Sequence, residues 1–184
     1  MIVPRPIAWV SSQGPAGQLN LAPFSFFNGV TSRPPTLMFV PVTKLDGTPK
    51  DTLRNIEATR EFVVNLVSAD LAESMNATSA ALPYDESEFE HYQIDSAASE
   101  RVKPPRVAAA PVAFECRLET ITRMGEAPGV ANVVFGRILC AHVADDLLDA
   151  KGHIDPARLD LVGRMGGNDY CHTRDQFTLN RPDE

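Results

Sequence analysis

The sequence lacks the residue patterns that mark several common enzyme classes. Only three cysteines occur among 184 residues and none forms a C-x-x-C pair, which disfavours both a disulfide framework and a thiolate zinc site. The four histidines form neither H-x-x-x-H nor H-x-E, so a histidine zinc site has little support. The sequence also contains no G-x-S-x-G elbow, no G-x-G-x-x-G and no G-x-x-x-x-G-K-[ST] loop. Serine hydrolases, Rossmann enzymes and P-loop enzymes are therefore disfavoured as well.

Positive charge and long apolar runs are also scarce. The chain has 17 Lys and Arg against 24 Asp and Glu, a formal net charge of −7, whereas nucleic-acid binders usually carry a basic surface. No apolar run approaches the roughly 18 residues that a membrane helix needs. The first residues lack the basic segment and cleavage site of a signal peptide. We expect one cytoplasmic domain over residues 1–184 that binds neither nucleic acid nor membrane.

Proline, in contrast, is abundant. Its 15 copies exceed the average proline content of about 5%, and pairs stand at element borders, as in Pro34-Pro35 and Pro104-Pro105. Proline cannot donate a hydrogen bond to a sheet, so it favours strand starts, edges and corners. Apolar runs and alternating patterns predict strands at residues 7–12, 18–22, 36–42, 61–67, 113–123, 131–144 and 176–179.

Helices are predicted to be few and short. Asp51 is the expected N-cap of a helix over 52–60, in which Leu53 and Ile56 face the core. Further helices are expected at 69–78 and at 156–162. Since strands and helices alternate only around residues 52–60, the fold class predicted is mainly β, a small β-barrel with helical insertions. The strand 36–42 is expected to be buried on both faces, His142 to be structural, and the polar segment 79–106 to be a lid or a dimer arm.

One candidate site is the segment 20–28, NLAPFSFFN. Its three phenylalanines are interleaved with short polar residues such as Ser25 and Asn28, so it offers amides and hydroxyls beside a flat apolar surface. A planar heteroaromatic ligand requires both. The same pattern is typical of an ordinary loop that buries its aromatic side chains, and both interpretations stay open.

A second candidate is Lys50-Asp51-Thr52, which directly precedes a predicted helix. Free N–H groups and the helix dipole favour an anion at a helix N-terminus, and a phosphate ligand of this acidic chain would need such a spot. A capped helix with a solvated lysine is the alternative. Arg5 and Arg164 are further candidates for binding a charged ligand.

Taken in order along the chain, these segments resemble one family. PRPIAWVSS at 4–12, NLAPFSFFN at 20–28, SRPP at 32–35, KDT at 50–52, MNATS at 75–79 and GGNDY at 166–170 are similar to the flavin reductase-like, FMN-binding split-barrel family, which includes the flavoredoxins. Each piece is short, but the ordered set spans most of the chain.

This resemblance implies a Greek-key-like split barrel that forms a homodimer and holds FMN non-covalently near the subunit interface. It places the following residues along the isoalloxazine: Asn20, Ala22, Pro23, Phe24, Ser25, Phe26 and Asn28. It places Ser32, Lys50, Asp51 and Thr52 at the ribityl chain and phosphate. Arg164 and Tyr170 would approach from the C-terminal segment of the same or of the other subunit.

The activity that the resemblance implies is an NAD(P)H:flavin oxidoreductase. NADH or NADPH would reduce the flavin, which then passes electrons to an acceptor or to a partner monooxygenase. Hydride transfer needs no acid–base side chain, so neither a catalytic residue nor a metal ligand is nominated. Two alternatives remain, a non-catalytic module that binds flavin or haem, and a flavoenzyme similar to pyridoxamine-phosphate oxidases.

Overall fold

The computed structural model describes residues 2–182, and strands dominate it. The strands are β1 Arg5–Pro6, β2 Ala8–Gln13, β3 Leu19–Phe24, β4 Phe27–Ser32, β5 Pro35–Phe39, β6 Glu61–Asn65, β7 Ser96–Ala97, β8 Arg106–Val107, β9 Val112–Met124, β10 Ala131–Val143, β11 Val162–Gly166 and β12 Asp169–His172. The helices are α1 Asp51–Thr59, α2 Ala72–Ala77, α3 Glu88–His91 and α4 Pro156–Leu159, with 3₁₀ turns at Ala69–Leu71 and Asp145–Leu147. The predicted mainly β class with helical insertions is confirmed.

Seven strands form one antiparallel sheet that curls around the main core. Their order is β3-β2-β6-β9-β10-β5-β4, so the two end strands, β3 and β4, follow each other in sequence but do not pair. The curvature nevertheless brings the Phe24 ring on β3 within 5.1 Å of the Phe39 ring on β5. The result is a barrel with an open seam between β3 and β4.

The core occupies the inside of this barrel and one of its ends. Phe39, Phe62 and Val134 are fully buried inside, and α1 lays Leu53 and Ile56 onto the same cluster. This packing confirms the predicted inner face of the helix. A second cluster surrounds Trp9, Leu21 and Met75, where α2 and α3 cover the outside of β2 and β3. The Trp9 indole N–H donates to Thr78 Oγ1 at 2.9 Å, which fixes the end of α2 against the barrel.

Two smaller sheets complete the fold. Strands β1, β11 and β12 form a three-stranded sheet in which Arg5 lies opposite Arg164, and Arg164 opposite Tyr170. Strands β7 and β8 form a two-stranded sheet. In residues 2–182 no helix is both long enough and apolar enough to cross a membrane.

Residues 79–106, called the strap below, pack against the barrel of their own chain. Glu88 Oε2 in the strap accepts a hydrogen bond from the Leu21 N–H at 2.8 Å. Farther along, the carboxylate of Glu115 on β9 accepts the N–H groups of Glu100 and Arg101 at 2.8 and 2.6 Å. The strap is thus tied to β3 at one end and to β9 at the other.

Two strand predictions are wrong in detail. The strand expected at 36–42 is β5, which ends at Phe39, and only Leu37 and Phe39 of it are buried. Pro41 has no N–H to donate, so the ladder cannot continue regularly through it. The strand expected at 176–179 does not form, because this segment has no partner strand in the described chain, and Phe177 is 85% exposed.

The start of α1 also differs from the prediction. Lys50 is the N-cap and Asp51 is the first helical residue, so the expected Asp51 cap is wrong. The Asp51 carboxylate lies 3.4 Å from Lys44 Nζ and forms an ion pair with it.

His142 was expected to be structural, and its contacts agree with that role. Its Nε2 lies 2.5 Å from Oε1 of the fully buried Glu115. Cys140 lies nearby, with 3.8 Å between its Sγ and His142 Nε2, and burial followed by the charge of Glu115 raises the pKa of this thiol. Glu115, in contact with His142, anchors the strap by accepting the N–H groups of Glu100 and Arg101.

Candidate functional site

A continuous groove runs along the outside of β3, from the N-terminus of α1 to the β11–β12 hairpin. It consists of two cavities of about 150 and 290 Å³ that share Pro23, Phe24 and Ser79 as lining residues. Strand β3 forms the floor, and the first residues of the strap, 79–82, form a wall of the smaller cavity. The first part of the segment 20–28, up to Ser25, therefore meets the segment 50–52 in one hollow.

The end of the groove at α1 carries two lysines and the free amides of a helix. Lys44 and Lys50 both line it, and Lys50 is exposed. The N–H groups of Asp51, Thr52 and Leu53 have no acceptor within the helix because they belong to its first turn. The dipole of α1 adds to the positive potential at this end.

One hydrogen bond joins the helix to the floor of the groove. Asn20 Nδ2 on β3 donates to Thr52 Oγ1 at 2.9 Å, and both residues are buried. This contact fixes the position of the helix N-terminus relative to β3. The α1 end of the groove is therefore held in place by the chain's own side chains, without a ligand.

A buried carboxylate stands beside the same end. Glu88 is only 6% exposed and lines the cavity that holds the lysines. Burial raises the pKa of Glu88, an effect that the N–H of Leu21 partly offsets and the nearby charge of Asp51 increases. The two lysines thus face two carboxyl groups, Asp51 and Glu88, and this end can accept hydrogen bonds from hydroxyl groups as well as bind an anion.

The middle of the groove is flat and apolar with polar edges. Pro23 and Phe24 form its floor, and the Phe24 ring is supported from below by Phe39. Ser25 follows at the edge, where its Oγ accepts a hydrogen bond from Arg5 Nε at 3.2 Å. This combination is the surface that a planar ring with polar edges requires.

The far end of the groove is formed by α2 and the β11–β12 hairpin. The Arg164 guanidinium lies 4.6 Å from the centre of the Tyr170 ring and donates to the Tyr170 hydroxyl and to the carbonyl of Gly167. The Tyr170 hydroxyl in turn lies 3.4 Å from Asn76 Oδ1. These contacts tie the hairpin to α2.

Most of the residues expected in the site line this groove. They are Asn20, Ala22, Pro23, Phe24, Ser25, Lys50, Asp51, Thr52, Arg164 and Tyr170. Phe26, Asn28 and Ser32 do not, because the chain bends at Ser25 and Phe26 and then enters β4, and all three residues are exposed. Arg164 and Tyr170 line the groove of their own chain.

Several groove residues were not predicted from the sequence. Lys44, Asn76, Thr78, Ser79, Glu88 and Asn168 all line one of the two cavities. The segments MNATS and GGNDY carried part of the family resemblance, and this was the one signal for Asn76, Thr78, Ser79 and Asn168. Nothing local marks Lys44 or Glu88, whose positions depend on how a loop and the strap fold back onto β3.

Comparison with known proteins identifies the family of the chain. The model of the family described as "Flavin reductase like domain" matches residues 1–158. The chain belongs to the flavin reductase-like family. The expected fold is confirmed too, because a putative flavin reductase with a split barrel domain from Shewanella frigidimarina has the same fold. It superposes with a TM-score of 0.84 at 22% identity, covering 97% of this chain and 86% of that one.

Two solved structures are more similar in sequence. Nitrilotriacetate monooxygenase component B from Bacillus cereus is 36% identical, with a TM-score of 0.91, covering 97% of this chain and 88% of that protein. The 2-nitrobenzoate 2-nitroreductase NbaA of Pseudomonas fluorescens is 34% identical, with a TM-score of 0.86, covering 98% and 86%. Together with the family match, these likenesses establish the chain as a flavin oxidoreductase in general terms.

Proposed function

We propose that this protein binds FMN non-covalently and acts as an NAD(P)H-dependent flavin reductase that passes electrons to an acceptor or to a partner monooxygenase. The observation that carries the proposal is the single groove that joins a cationic helix N-terminus to a flat aromatic floor. FMN has a phosphate at one end and a planar ring at the other, and the groove offers a matching surface for each. We also propose that the protein works in the cytoplasm.

The phosphate of FMN fits the end at α1. Lys44, Lys50 and the first-turn amides of the helix supply positive charge and hydrogen-bond donors there. Asp51, Thr52 and Asn20 lie next to them and suit the hydroxyl groups of the ribityl chain. The Asp51 carboxylate is held by Lys44 at 3.4 Å, so part of its charge is neutralised before a phosphate arrives.

The isoalloxazine fits the middle of the groove. Ala22, Pro23 and Phe24 provide an apolar surface for its face, while Ser25 and the neighbouring backbone amides meet its polar edge. Bound FMN supplies the redox chemistry by accepting hydride from the nicotinamide donor and giving electrons to the acceptor. The role of the chain is to hold the ring, exclude water from one face and place donors at the edge where negative charge develops.

A homodimer accounts for the expected site residues that lie outside the groove. Strand β4 is an edge strand, and Asn28 to Ser32 are exposed along it. Phe26 and Val30 are 55% and 50% exposed, an apolar surface that a second subunit would cover. We propose that Phe26, Asn28 and Ser32 contact the cofactor or its neighbours across this interface.

A relative's activity indicates how electrons leave the flavin. Nitrilotriacetate monooxygenase component B is named as one component of a monooxygenase, which favours transfer of electrons to another protein of such a system. The 2-nitrobenzoate nitroreductase favours direct reduction of a small acceptor instead. Direct reduction of an acceptor is therefore the second candidate within the same chemistry.

The deciding experiment is an absorbance spectrum of the purified protein loaded with FMN, recorded without oxygen before and after addition of NADH and then NADPH. We expect the spectrum of bound flavin, with an absorbance band at about 450 nm, close to that of free flavin. This band should bleach on addition of at least one of the two donors.

Three results would contradict the proposal. A protein that takes up no flavin would remove the cofactor assignment, and one that binds haem would favour the haem-binding alternative. Flavin that is bound but not reduced by either donor would favour a non-catalytic module. Oxygen-dependent aldehyde formation from an amine without a nicotinamide donor would favour an enzyme similar to pyridoxamine-phosphate oxidases.

A further inference from the structure

Three side chains under the strap bring together a carboxylate, a thiol and an imidazole. They are Glu115 on β9 and Cys140 and His142 on β10, and one ligating atom from each lies within 4.8 Å of the other two. His142 Nε2 is 3.8 Å from Cys140 Sγ and 2.5 Å from Glu115 Oε1. None of the three lines either cavity of the groove. Within residues 2–182, no other three histidine, cysteine or carboxylate side chains converge in this way.

A bulge in β10 creates this cluster. The register between β9 and β10 shifts at Leu139, which is left without a partner on β9, so that Cys140 lies opposite Glu115. In an unbroken ladder Cys140 would lie opposite Phe114, on the other face of the sheet. His142, two residues later, shares the face of Cys140. Bulges commonly re-aim side chains at functional sites, and motif spacing does not reveal this one because its residues come from two strands.

The Glu115 carboxylate is oriented by backbone groups of the strap. It is fully buried and accepts the N–H groups of Glu100 and Arg101 at 2.8 and 2.6 Å. Hydrogen bonds of this kind orient the ligands of metal sites. Oε1 accepts the N–H of Glu100 and faces His142 Nε2, so a metal ion between the two side chains would take the place of the proton in that contact.

The charge of the cluster suits a divalent cation. Within residues 2–182, His142 is the one basic side chain that pairs with Glu115. Buried carboxylates are stable when they are paired or bound to a metal ion. With Glu115 ionised, Cys140 as a thiolate and His142 neutral, the three ligands carry two negative charges, which a divalent ion balances. The bound site would therefore place no net charge under the strap.

The cluster is also accessible from solvent. The His142 side chain is 18% exposed and lines a cavity of about 370 Å³. This cavity gives an ion a path to the three ligands and leaves room beside them for a water molecule. The buried carboxylate and the open side of the imidazole thus resemble a site with one free coordination position.

We propose that Glu115, Cys140 and His142 bind one zinc ion, with a water molecule as the fourth ligand. Carboxylate oxygen, thiolate sulfur and imidazole nitrogen are all ligands of zinc. Tetrahedral zinc holds such atoms about 3.4–3.6 Å apart, so the sulfur and the nitrogen are nearly in place, and Nε2 and Oε1 would separate by about 1 Å. On binding, the Cys140 thiol releases its proton to solvent, and the His142 ring keeps its proton on Nδ1.

This inference goes beyond the proposed flavin chemistry and does not depend on it. The ion would join β9 and β10 at the residue that anchors the strap, so its effect is on the stability of that anchor. Hydride transfer and flavin binding need no contribution from it.

The test uses the full chain, freed of metal with a chelator that is then removed, and titrated with Co²⁺ as a spectroscopic substitute for Zn²⁺. Co²⁺ bound to a thiolate gives a charge-transfer band, and difference spectra remove any flavin absorbance. The variants are Cys140→Ser and His142→Gln. The matched controls are Cys171→Ser and His153→Gln, because neither residue belongs to the cluster.

We expect the unmodified protein and both controls to bind one Co²⁺ per chain with a thiolate band, and Zn²⁺ to displace it. Cys140→Ser should lose this band, and His142→Gln should weaken Co²⁺ binding at least about tenfold. Absence of a thiolate band in the unmodified protein, or a band that Cys140→Ser retains, would overturn the inference. So would loss of the band in Cys171→Ser, which would place the ion at another thiol.

Thermal unfolding with and without added Zn²⁺ gives an independent readout. A ligand that binds only the folded chain raises its Tm, so we expect Zn²⁺ to raise the Tm of the unmodified protein and of both controls, but not of the two cluster variants. No change in the unmodified protein, or an equal rise in all five proteins, would contradict the site. If the Cys140 variant does not fold, the His142 variant decides alone.

Discussion

At the scale of single residues, Thr52 links two parts of the groove. Its Oγ1 accepts the amide N–H of the buried Asn20, so it connects the helix that offers the anion site to the strand that forms the floor. Leaving this buried amide without a partner would cost about 1–3 kcal/mol of stability. The position of the α1 end relative to the floor therefore depends on this hydrogen bond.

Lys50 provides the most direct residue-level prediction. Replacement by alanine removes an exposed charge next to the first turn of α1, and we expect FMN binding to weaken by about 1–3 kcal/mol. Fluorescence titration of FMN measures this change. Lys151→Ala is the control, since Lys151 is an exposed lysine that lines neither cavity. Equal FMN affinity in the Lys50 variant and the control would remove Lys50 from the site.

Local sequence predicted the α1 end and the floor of the groove, but it did not predict their surroundings. Lys50, Asp51 and Thr52 were identified because they precede a helix, and the segment 20–28 because aromatic and short polar side chains alternate there, although only its first part lines the groove. The Asp51 cap was wrong: Asp51 is the first helical residue, and its carboxylate pairs with Lys44, seven residues earlier. Glu88 enters the groove only through the folding of the strap, a long-range contact that leaves no local pattern.

At the scale of elements, one buried carboxylate of the barrel holds the later part of the strap. Glu115 is fully buried on β9 and accepts the N–H groups of Glu100 and Arg101 together with the ring of His142. Alternation along β9 places Glu115 on the face opposite Phe114 and Cys116, and the strap that covers it could not be foreseen from the strand itself. Because the strap also forms a wall of the groove, Glu115 supports the site from a distance.

The stability that Glu115 contributes should depend on pH. Burial alone would raise its pKa, but the hydrogen bonds from Glu100, His142 and Arg101 outweigh burial and lower the pKa below its usual value of 4.5. The ionised form is thus favoured by folding. Its contribution is fully present above about pH 4.5 and is lost as the pH falls through the lower pKa of the folded state.

Glu115→Gln tests this expectation. We expect the variant to be less stable than the unmodified protein by about 1–3 kcal/mol at pH 7, with the difference shrinking below pH 4.5. Urea unfolding at a series of pH values measures it. Glu119→Gln, an exposed position on the same strand, is the control. A stability difference that stays constant down to pH 3, or that grows there, would contradict the assignment.

Strand β10 contains an irregularity that depends on glycine. The register between β10 and β9 shifts next to Gly136, and a Cβ at this position would lie 2.3 Å from Cζ of the buried Phe62 ring. We expect Gly136→Ala to reduce the free energy of unfolding by about 1–3 kcal/mol through overpacking.

Gly29→Ala is the matched control for this substitution, since no atom lies within 4 Å of the added Cβ on β4. Urea unfolding of the two variants compares them directly. Equal stability would show that the core beside Phe62 can accommodate a methyl group, contrary to the packing described above.

At the scale of the whole molecule, the sequence predicted the class of fold better than it predicted which segments form strands. The long alternating segments became β9 and β10, and the proline pairs indeed stand beside strands. The segment 176–179 was predicted as a strand from composition alone, but strands form by pairing, and its Phe177 and Leu179 stay 85% and 80% exposed.

These exposed side chains, with the apolar surface on β4, lead to a prediction about assembly. We expect the protein to sediment as a dimer with twice the chain mass of 20.1 kDa. Analytical ultracentrifugation measures the mass, and Val30→Asp on β4 should shift the equilibrium toward the monomer, while Val42→Asp, an exposed valine outside β4, should not. A monomeric unmodified protein at micromolar concentration would contradict the proposed interface.

The central claim is that one nucleotide spans the groove, with its phosphate at α1 and its ring on Pro23, Phe24 and Ser25. The most direct measurement is a crystal structure of the protein with FMN. We expect the phosphate within hydrogen-bond distance of Lys50 or of the first-turn amides of α1, and the isoalloxazine against Phe24. A flavin bound in another cavity, such as that between α2 and β12 near Ala72 and Cys171, would contradict the account.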